Sequence, residues 1–480
     1  MNRRMVLNTL GHIAMAEAAL LVLPLIVSLI YNEGCAAAFL ITIGICLIVG
    51  VILNLTSRPG TKVIYAKESF AIVAYAWLMM AGFGALPFVI SGEIPSYIDA
   101  FFETVSGFTT TGASILTDVE AMSKGLLFWR SFTHWIGGMG VLVFVMALIP
   151  NMSDRSIHIM RAEMPGPEVG KLLPKARDTA KILYLIYIVL TAVEIVMLLA
   201  GGMPFFDSVV HTFGTAGTGG FGIKADSIAG YSPYLQWVIA VFMLVFALNF
   251  NLFYLIIIGK IKSVLKSTEL WCFVTIVAIS IGVIAVNIHK MYDSIEEVLR
   301  FTTFQVSSII STTGYATTDF DLWPGLSKAV LMLLMIVGGC AGSTAGGLKV
   351  SRVILLIKSV FREFKKLLHP RSVRIVKLEG KRVDEQVLTA TASYFVIYIL
   401  MIISIFILLS IEPFSIETNL SATLACFNNI GPGFGTVGPT LSYSEYSAFS
   451  KIILSIAMLL GRLEIFPLIL GLNPLIWKKR

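Results

Sequence analysis

Charge is scarce in this chain. Asp, Glu, Lys and Arg make up 14 % of its 480 residues, against 56 % hydrophobic residues and a mean hydropathy of +0.85. A soluble domain carries about 25 % charged residues, and no soluble core could hide this much apolar surface, so a soluble globular protein is excluded. Cysteine is scarce too. The five residues Cys35, Cys46, Cys272, Cys340 and Cys426 form no Cys-x-x-Cys pair and mostly sit in apolar runs, which points to small buried residues and away from metal or redox chemistry. The six histidines show no ligand spacing, which argues against zinc. No nucleophile–base pair or phosphate-binding loop is present, which argues against a membrane enzyme. No basic face belongs to a sizeable soluble domain, so nucleic acid is excluded as a partner.

Long apolar runs are abundant. A helix needs about 20 mostly apolar residues to cross the hydrocarbon core. Ten such runs fall near 7–31, 35–55, 69–91, 125–149, 180–201, 233–259, 270–289, 328–358, 387–411 and 448–476. The first lacks a clean cleavage site and reads as a retained helix, not a secretory signal. Shorter, half-polar segments at about 96–108, 204–214, 294–310 and 415–428 cannot span. The net charge of +7 is patterned. Most Lys and Arg, from Arg3 and Arg4 through the stretch Lys349–Arg382 to Lys478, Lys479 and Arg480, fall on one side; Lys124, Lys224, Lys290, Arg300, Lys328 and Lys451 fall on the other. The positive-inside rule makes the first side cytoplasmic, with both termini inside. All four half-polar segments then lie on the outer side.

After two spans, one pattern recurs four times: helix, short outer helix, glycine turn, helix. The turns contain Thr110, Thr111 and Gly112; Thr218 and Gly219; Thr312, Thr313 and Gly314; and Asn429, Ile430 and Gly431. Acidic residues stand early in each short helix, at Asp99, Asp207, Glu296, Glu297 and Glu417, where they suit the positive end of the helix dipole. The negative ends then face the glycine turns. Irregular backbone at membrane depth survives where it is buried or lines a water-filled path, and rings of backbone carbonyls can replace an ion's hydration shell. No ring of carboxylates accompanies the turns, which argues against a divalent cation. The residues therefore predict an all-α polytopic membrane protein with four helix–pore loop–helix repeats around a pseudo-fourfold pore for a monovalent cation, plus two N-terminal helices. The expected divisions are 1–66, 67–178, 179–267, 268–383 and 384–480, with Gly112, Gly219, Gly314 and Gly431 as the equivalent filter glycines.

These turns resemble those of the Trk/Ktr/HKT superfamily of potassium and sodium transporters, and its TrkH/TrkG branch in particular. Phe128-Trp-Arg-Ser131, Trp135-Ile-Gly-Gly-Met-Gly140, Gly338–Gly347, Asn428-Asn-Ile-Gly-Pro-Gly433 and Gly461-Arg-Leu-Glu-Ile-Phe466 carry the likeness. The resemblance covers essentially the whole chain. It implies K+ as the transported ion, held at Thr111, Gly112, Thr218, Gly219, Thr313, Gly314, Ile430 and Gly431. It also implies a homodimer in the bacterial inner membrane and a cytoplasmic ring of TrkA-type nucleotide-binding regulatory subunits. Glycine at all four filter positions favours potassium over sodium; the second loop, with Ala216-Gly217-Thr218, departs slightly from the family pattern.

Several residues admit two readings. Gly338, Gly339, Ala341, Gly342, Ser343, Thr344, Gly346 and Gly347 interrupt a span; a movable gate loop below the filter is favoured over close helix packing. Arg462 lies inside an apolar span, where a charge tends to face the protein interior. We read it as a positive charge on the permeation path, against a packing salt bridge with Glu464. Gly137, Gly138 and Gly140 read as tight packing, Arg130 as a partner of Glu103 bracing the filter, and Asn249 and Asn251 as interhelical hydrogen-bonding groups. The Lys349–Arg382 connector reads as a solvated, head-group-facing segment that also contacts the regulatory ring. A proton- or sodium-coupled secondary transporter is the alternative function, with Glu194 as its mid-span carboxylate.

Overall fold

A computed structural model describes residues 2–57, 66–140, 176–372 and 374–474. The far half of the run at 125–149 and the basic residues Arg58, Lys62, Arg155, Arg161, Lys171 and Lys175 lie outside the described residues, as do Lys478, Lys479 and Arg480.

The described chain is almost wholly helical. Helices α1 (Arg3–Leu20) and α2 (Val22–Ile30) form one span, and α3 (Ala36–Thr56) returns beside it. The first repeat contains α4 (Ala66–Gly84), α5 (Leu86–Ser91), the short α6 (Tyr97–Phe108) and α7 (Lys124–Gly138). The second has α8 (Ala176–Ala200), the short α9 (Phe205–Gly217), α10 (Pro233–Phe246), α11 (Phe250–Ile257) and α12 (Ile261–Leu265). The third has α13 (Thr268–Ile288), the short α14 (Ile295–Ile310), α15 (Gly325–Val337) and α16 (Val350–Leu368). A two-residue antiparallel hairpin, Lys377–Leu378 with Lys381–Arg382, precedes the fourth. That repeat contains α17 (Glu385–Leu409), the short α18 (Ile416–Phe427), α19 (Ala448–Arg462) and α20 (Phe466–Leu472).

The first helix of each repeat is apolar and long enough to span. Those of repeats 3 and 4 are only 28 % buried over their apolar windows, so most of their surface is left for lipid. The first repeat differs: Lys67–Ser91 is 61 % buried, because α4 packs against both α20 and α1, and α5 against α3. The N-terminal pair and α20 of the fourth repeat together cover the first helices of repeat 1. Between α1 and α3 the backbones come close: a Cβ on Gly11 would meet the Gly50 carbonyl at 2.9 Å, and one on Gly50 the Gly11 carbonyl at 3.0 Å.

The short helices start at the segments expected from the sequence, and each acid stands in a first turn. Ser96, Ser294 and Ser415 cap three of them, accepting from the backbone N–H of Asp99, Glu297 and Thr418. Each repeat's second helix packs on the short helix of the next: α7 on α9, α10 on α14, α15 on α18, and α19 back on α6. That cyclic packing closes the four repeats into a ring.

The second helices of repeats 2 to 4 are not the straight spans that hydropathy predicts. α10 and α11 meet at 91°, and α19 and α20 at 115°. Residues 338–349 separate α15 from α16 without helix, and α7 ends at Gly138, two residues before Gly140 at φ +84°. Asn249 is the cap of one such break: its Oδ1 accepts from Asn251 N at 2.9 Å. It starts α11, and its side chain also hydrogen-bonds Glu269 of α13, the interhelical bond expected from the sequence.

Candidate ion pathway

All four short helices end in the same hydrogen-bonded turn. The N–H of Thr111, Gly219, Thr313 and Ile430 reaches back to the carbonyls of Ser106, Gly214, Ser308 and Ala425 at 2.8, 2.8, 2.9 and 2.8 Å. The N–H of Thr110, Thr218, Thr312 and Asn429 reaches Gly107, Thr215, Ile309 and Cys426 at 3.0, 3.0, 3.1 and 3.3 Å. This is the Schellman pattern, and its left-handed residue is Thr110 at φ +55°, Thr218 at +57°, Thr312 at +58° and Asn429 at +58°. A β-branched residue is unfavourable there, by about 1–3 kcal/mol. Three threonines held in that state mark a turn imposed by its surroundings.

Two residues further on, Gly112, Gly220, Gly314 and Gly431 have φ of +80°, +74°, +87° and +100°. The second loop's counterpart of Gly112, Gly314 and Gly431 is thus Gly220. The sequence reading that set Gly219 beside Gly112, Gly314 and Gly431 is one residue out of register; Gly219 matches Thr111, Thr313 and Ile430, and Thr218 matches Thr110, Thr312 and Asn429. The physical reason is the position of the left-handed Thr218, which fixes the count.

The loops interlock in cyclic order. A Cβ on Gly112 would collide with the carbonyl oxygen of Gly219, one on Gly220 with that of Thr313, one on Gly314 with that of Ile430, and one on Gly431 with that of Thr111. Each glycine therefore abuts a carbonyl of the next loop, and the carbonyls of Thr111, Gly219, Thr313 and Ile430 form a ring. An outer cavity of about 350 Å³ touches Gly112, Gly220, Gly314 and Gly431 together.

Side chains behind the ring hold it. Arg130 Nε is 2.5 Å from Glu103 Oε1, as the sequence suggested. The same carboxylate accepts from Ser114 Oγ and Ile115 N, both at 2.9 Å, so it grips the outgoing strand of loop 1. Arg130 also donates to the Gly222 carbonyl at 2.9 Å and lies 3.5 Å from the Phe221 ring centroid, joining loop 1 to loop 2. Sequence reasoning missed two tyrosines. Tyr315 donates to the Phe221 carbonyl at 3.3 Å, and Tyr443 to the Gly431 carbonyl at 2.7 Å. A carbonyl has two lone pairs, so Gly431 retains one for another partner. Nearer the outer surface, Lys451 of repeat 4 pairs with Asp99 of repeat 1 at 2.7 Å, and Lys328 of repeat 3 with Glu417 of repeat 4 at 3.2 Å. Gln236 of repeat 2 accepts from Arg300 of repeat 3. Lys328, Lys451 and Gln236 each stand fourth in their helices, a register visible only once the helix starts are known.

Beneath the ring runs the glycine-rich break. Gly346 N donates to Thr312 Oγ1 at 2.6 Å, and a Cβ on Gly346 would strike the Asn428 carbonyl. The segment is also tied to the break in repeat 2: Cys340 N to the Ala247 carbonyl at 3.0 Å, Phe250 N to that of Gly342 at 3.1 Å, Thr344 Oγ1 to that of Phe246 at 3.1 Å. Ala341 N reaches Glu269 Oε1 at 2.7 Å. Gly338, Gly342 and Gly347 all have positive φ. Arg462 donates to the carbonyls of Thr344 at 2.9 Å, Gly137 at 2.5 Å and Gly138 at 2.6 Å. Glu464 is bonded elsewhere, to Arg352 at 2.5 Å. Arg352 and Lys349 are buried, and Lys349 Nζ donates to the Ala345 carbonyl; the head of the basic connector is therefore interior, not solvated as expected. Gly137 packs under the last carbonyl of α6, Phe108, as Gly461 does under that of α18, Phe427, so the tight-packing reading of this glycine agrees with its position.

Four half-membrane helices that aim their C-terminal ends at one ring of backbone carbonyls, in a bundle of lipid-facing helices, define a polytopic membrane transport protein of four pore-loop repeats. The chain belongs to the TrkH family of cation transport proteins, which it matches over residues 36–474. It is 36 % identical to the Trk system potassium uptake protein TrkH of Salmonella typhimurium over all of both chains. It is 33 % identical to the Trk system potassium uptake protein TrkG of Escherichia coli over 99 % of each. The crystal structure of the potassium transporter TrkH from Vibrio parahaemolyticus superposes with a TM-score of 0.89 at 32 % identity, covering both chains completely.

Proposed function

We propose that this chain takes potassium up across the bacterial inner membrane, with both termini cytoplasmic. K+ sheds its water against the carbonyls of Thr111, Gly219, Thr313 and Ile430 and the adjoining filter residues Thr110, Gly112, Thr218, Gly220, Thr312, Gly314, Asn429 and Gly431. The observation that carries this reading is the cyclic interlock of the four loops: carbonyl dipoles and four helix C-termini face one axis, with no carboxylate ring among the described residues to attract a divalent ion. Its relatives' names as potassium uptake proteins support the choice of ion.

Residues 338–347 and Arg462 close the path below the filter. The segment hangs from Thr312 and leans on the broken helix of repeat 2, and the guanidinium places a full positive charge against its Thr344 carbonyl. A homodimer regulated by a cytoplasmic TrkA-type nucleotide-binding ring is part of the same reading; the word "system" in the relatives' names supports a multi-component assembly.

The rival is a proton- or sodium-coupled carrier, for which the fully buried Glu194 of α8 is the relevant observation. Reconstitution decides between them. Unitary currents that reverse at the potassium equilibrium potential are expected; slow flux in fixed stoichiometry with protons or sodium would overturn the channel reading.

A further inference from the structure

We propose that His134 is a positioning residue for the second filter loop and sets ion preference there, its imidazole standing where the other three loops place a side chain of their own. This deepens the pore reading above and rests on it.

In those three loops the carbonyl-ring position holds Thr111, Thr313 or Ile430, each fully buried. Thr111 Oγ1 lies 2.8 Å from Thr109 Oγ1 and accepts from Asn429 Nδ2 at 3.0 Å. Thr313 Oγ1 lies 2.7 Å from Ser311 Oγ. These side chains wedge the turn from behind, so the carbonyl ring is backed by bonded groups. Loop 2 has Gly217 and Gly219 at the two corresponding positions and can build no such wedge.

Neither glycine has a positive φ, so the backbone does not demand glycine at either. At Gly219 the His134 imidazole does: a Cβ there would fall on its Nδ1, Cγ and Cε1, whereas a Cβ on Gly217 would first meet the backbone carbonyl of residue 134. The ring itself is fixed. It is fully buried, its Nδ1 is 2.8 Å from the Gly107 carbonyl, and its centroid is 4.2 Å from that of Phe221, the residue after the filter glycine. A carbonyl only accepts, so Nδ1 carries the proton. The imidazole of the first repeat thus spans from α6 to loop 2 and fills the space behind the Gly219 carbonyl. Close packing transmits a displacement of that wall to the carbonyl it supports.

The test is a double-substitution cycle with the potassium/sodium permeability ratio as its readout, recorded on full-length protein in proteoliposomes beside its thermal midpoint. His134→Ala is expected to lower the ratio by about tenfold, in the range of couplings between touching residues. Gly219→Thr alone is expected to lower it as far or to yield no folded protein. His134→Ala with Gly219→Thr, which gives loop 2 the side chain of loops 1 and 3 and room for it, is expected to recover most of the loss. A double variant no better than the sum of the singles overturns the proposal, as does a Gly219→Thr variant with the parental ratio. Should His134→Ala not fold, His134→Gln keeps an N–H for Gly107 and takes its place; a parental ratio in that variant overturns the proposal. A parent protein without potassium preference would refute the pore reading, and this proposal with it.

Discussion

The outer and inner halves of the pore region obey different rules. At the filter, four stretches of unlike sequence adopt one conformation: the same pair of turn hydrogen bonds, the same left-handed residue, the same glycine two places on. Below it, the second helices of repeats 2 to 4 break in three ways: one at a 91° corner capped by Asn249, one across the non-helical segment at 338–349, one at a 115° corner where Glu464 and Ile465 both have positive φ. A bare cation needs near-equivalent ligands on all sides, which favours symmetry. A barrier needs only one obstacle, and in the function proposed above Arg462 and the glycine segment are that obstacle, drawn from two of the four repeats. On that proposal, coordination is shared among the repeats, whereas control is assigned to individuals.

The largest effect expected comes from breaking the support of the symmetric half. Glu103 and Arg130 are almost completely buried, at 1 % and 3 % exposure, and removing one member of a buried pair costs about 3–5 kcal/mol because the other charge is left unpaired. Glu103→Ala additionally frees Ser114 and Ile115. Thermal unfolding in detergent should show little or no folded protein at the parental midpoint. A variant as stable as the parent would detach the ion pair from the architecture of loops 1 and 2.

A second substitution addresses the asymmetric half. At an effective dielectric of about 20, a unit charge about 10 Å from a passing cation contributes roughly 1.7 kcal/mol. Arg462→Ala removes such a charge and three hydrogen bonds to Thr344, Gly137 and Gly138. Potassium flux into proteoliposomes should rise, by about twentyfold on this figure, with the permeability ratio unchanged. An equal flux would make Arg462 a packing residue; a changed ratio would tie it to the filter and blur the division drawn above.

Selectivity itself should respond to Gly112→Ser. The added Cβ sits at φ +80° and against the Gly219 carbonyl, so it displaces one member of the ring. A loss of about 1 kcal/mol in discrimination, roughly fivefold in the potassium/sodium ratio, is expected from one misplaced ligand. The same substitution should leave the flux increase of Arg462→Ala intact, because the two act on different halves.

How far this division could be read from the sequence follows from its physics. The short helices were legible because their polar faces and early acids differ from true spans, and the filter because Thr-Thr-Gly recurs. Loop 2 was misaligned because Gly217-Thr-Gly-Gly220 offers two candidates, and what selects between them is the left-handed Thr218, a property of backbone and not of composition. The absent side chain at Gly219 is explained by His134, distant in sequence and adjacent in space. The interruption at Gly338–Gly347 was legible in its glycines, but the two helix corners escaped because hydropathy is blind to direction: residues 233–259 and 448–476 remain apolar through them. Arg462 was legible as a misplaced charge, but its partners are backbone carbonyls, which no sequence pattern announces.

The smallest effect concerns the outer rim, where Lys451 of repeat 4 reaches Asp99 of repeat 1 and so closes the ring of repeats at its seam. The side chains are 9 % and 27 % exposed, intermediate between a buried pair and a surface one. Partly solvated pairs contribute about 0.2–1 kcal/mol and weaken with salt, since the Debye length falls from about 10 Å at 0.1 M to about 3 Å at 1 M. Lys451→Ala should therefore lower the thermal midpoint slightly at low salt and by less at high salt, leaving the permeability ratio at the parental value. Lys328→Ala should behave alike, as its counterpart between repeats 3 and 4. A ratio that shifted with either variant would mean that the seams between repeats, and not only the groups touching the loops, hold the carbonyls in place, and the filter's symmetry would then extend to the protein's outer surface.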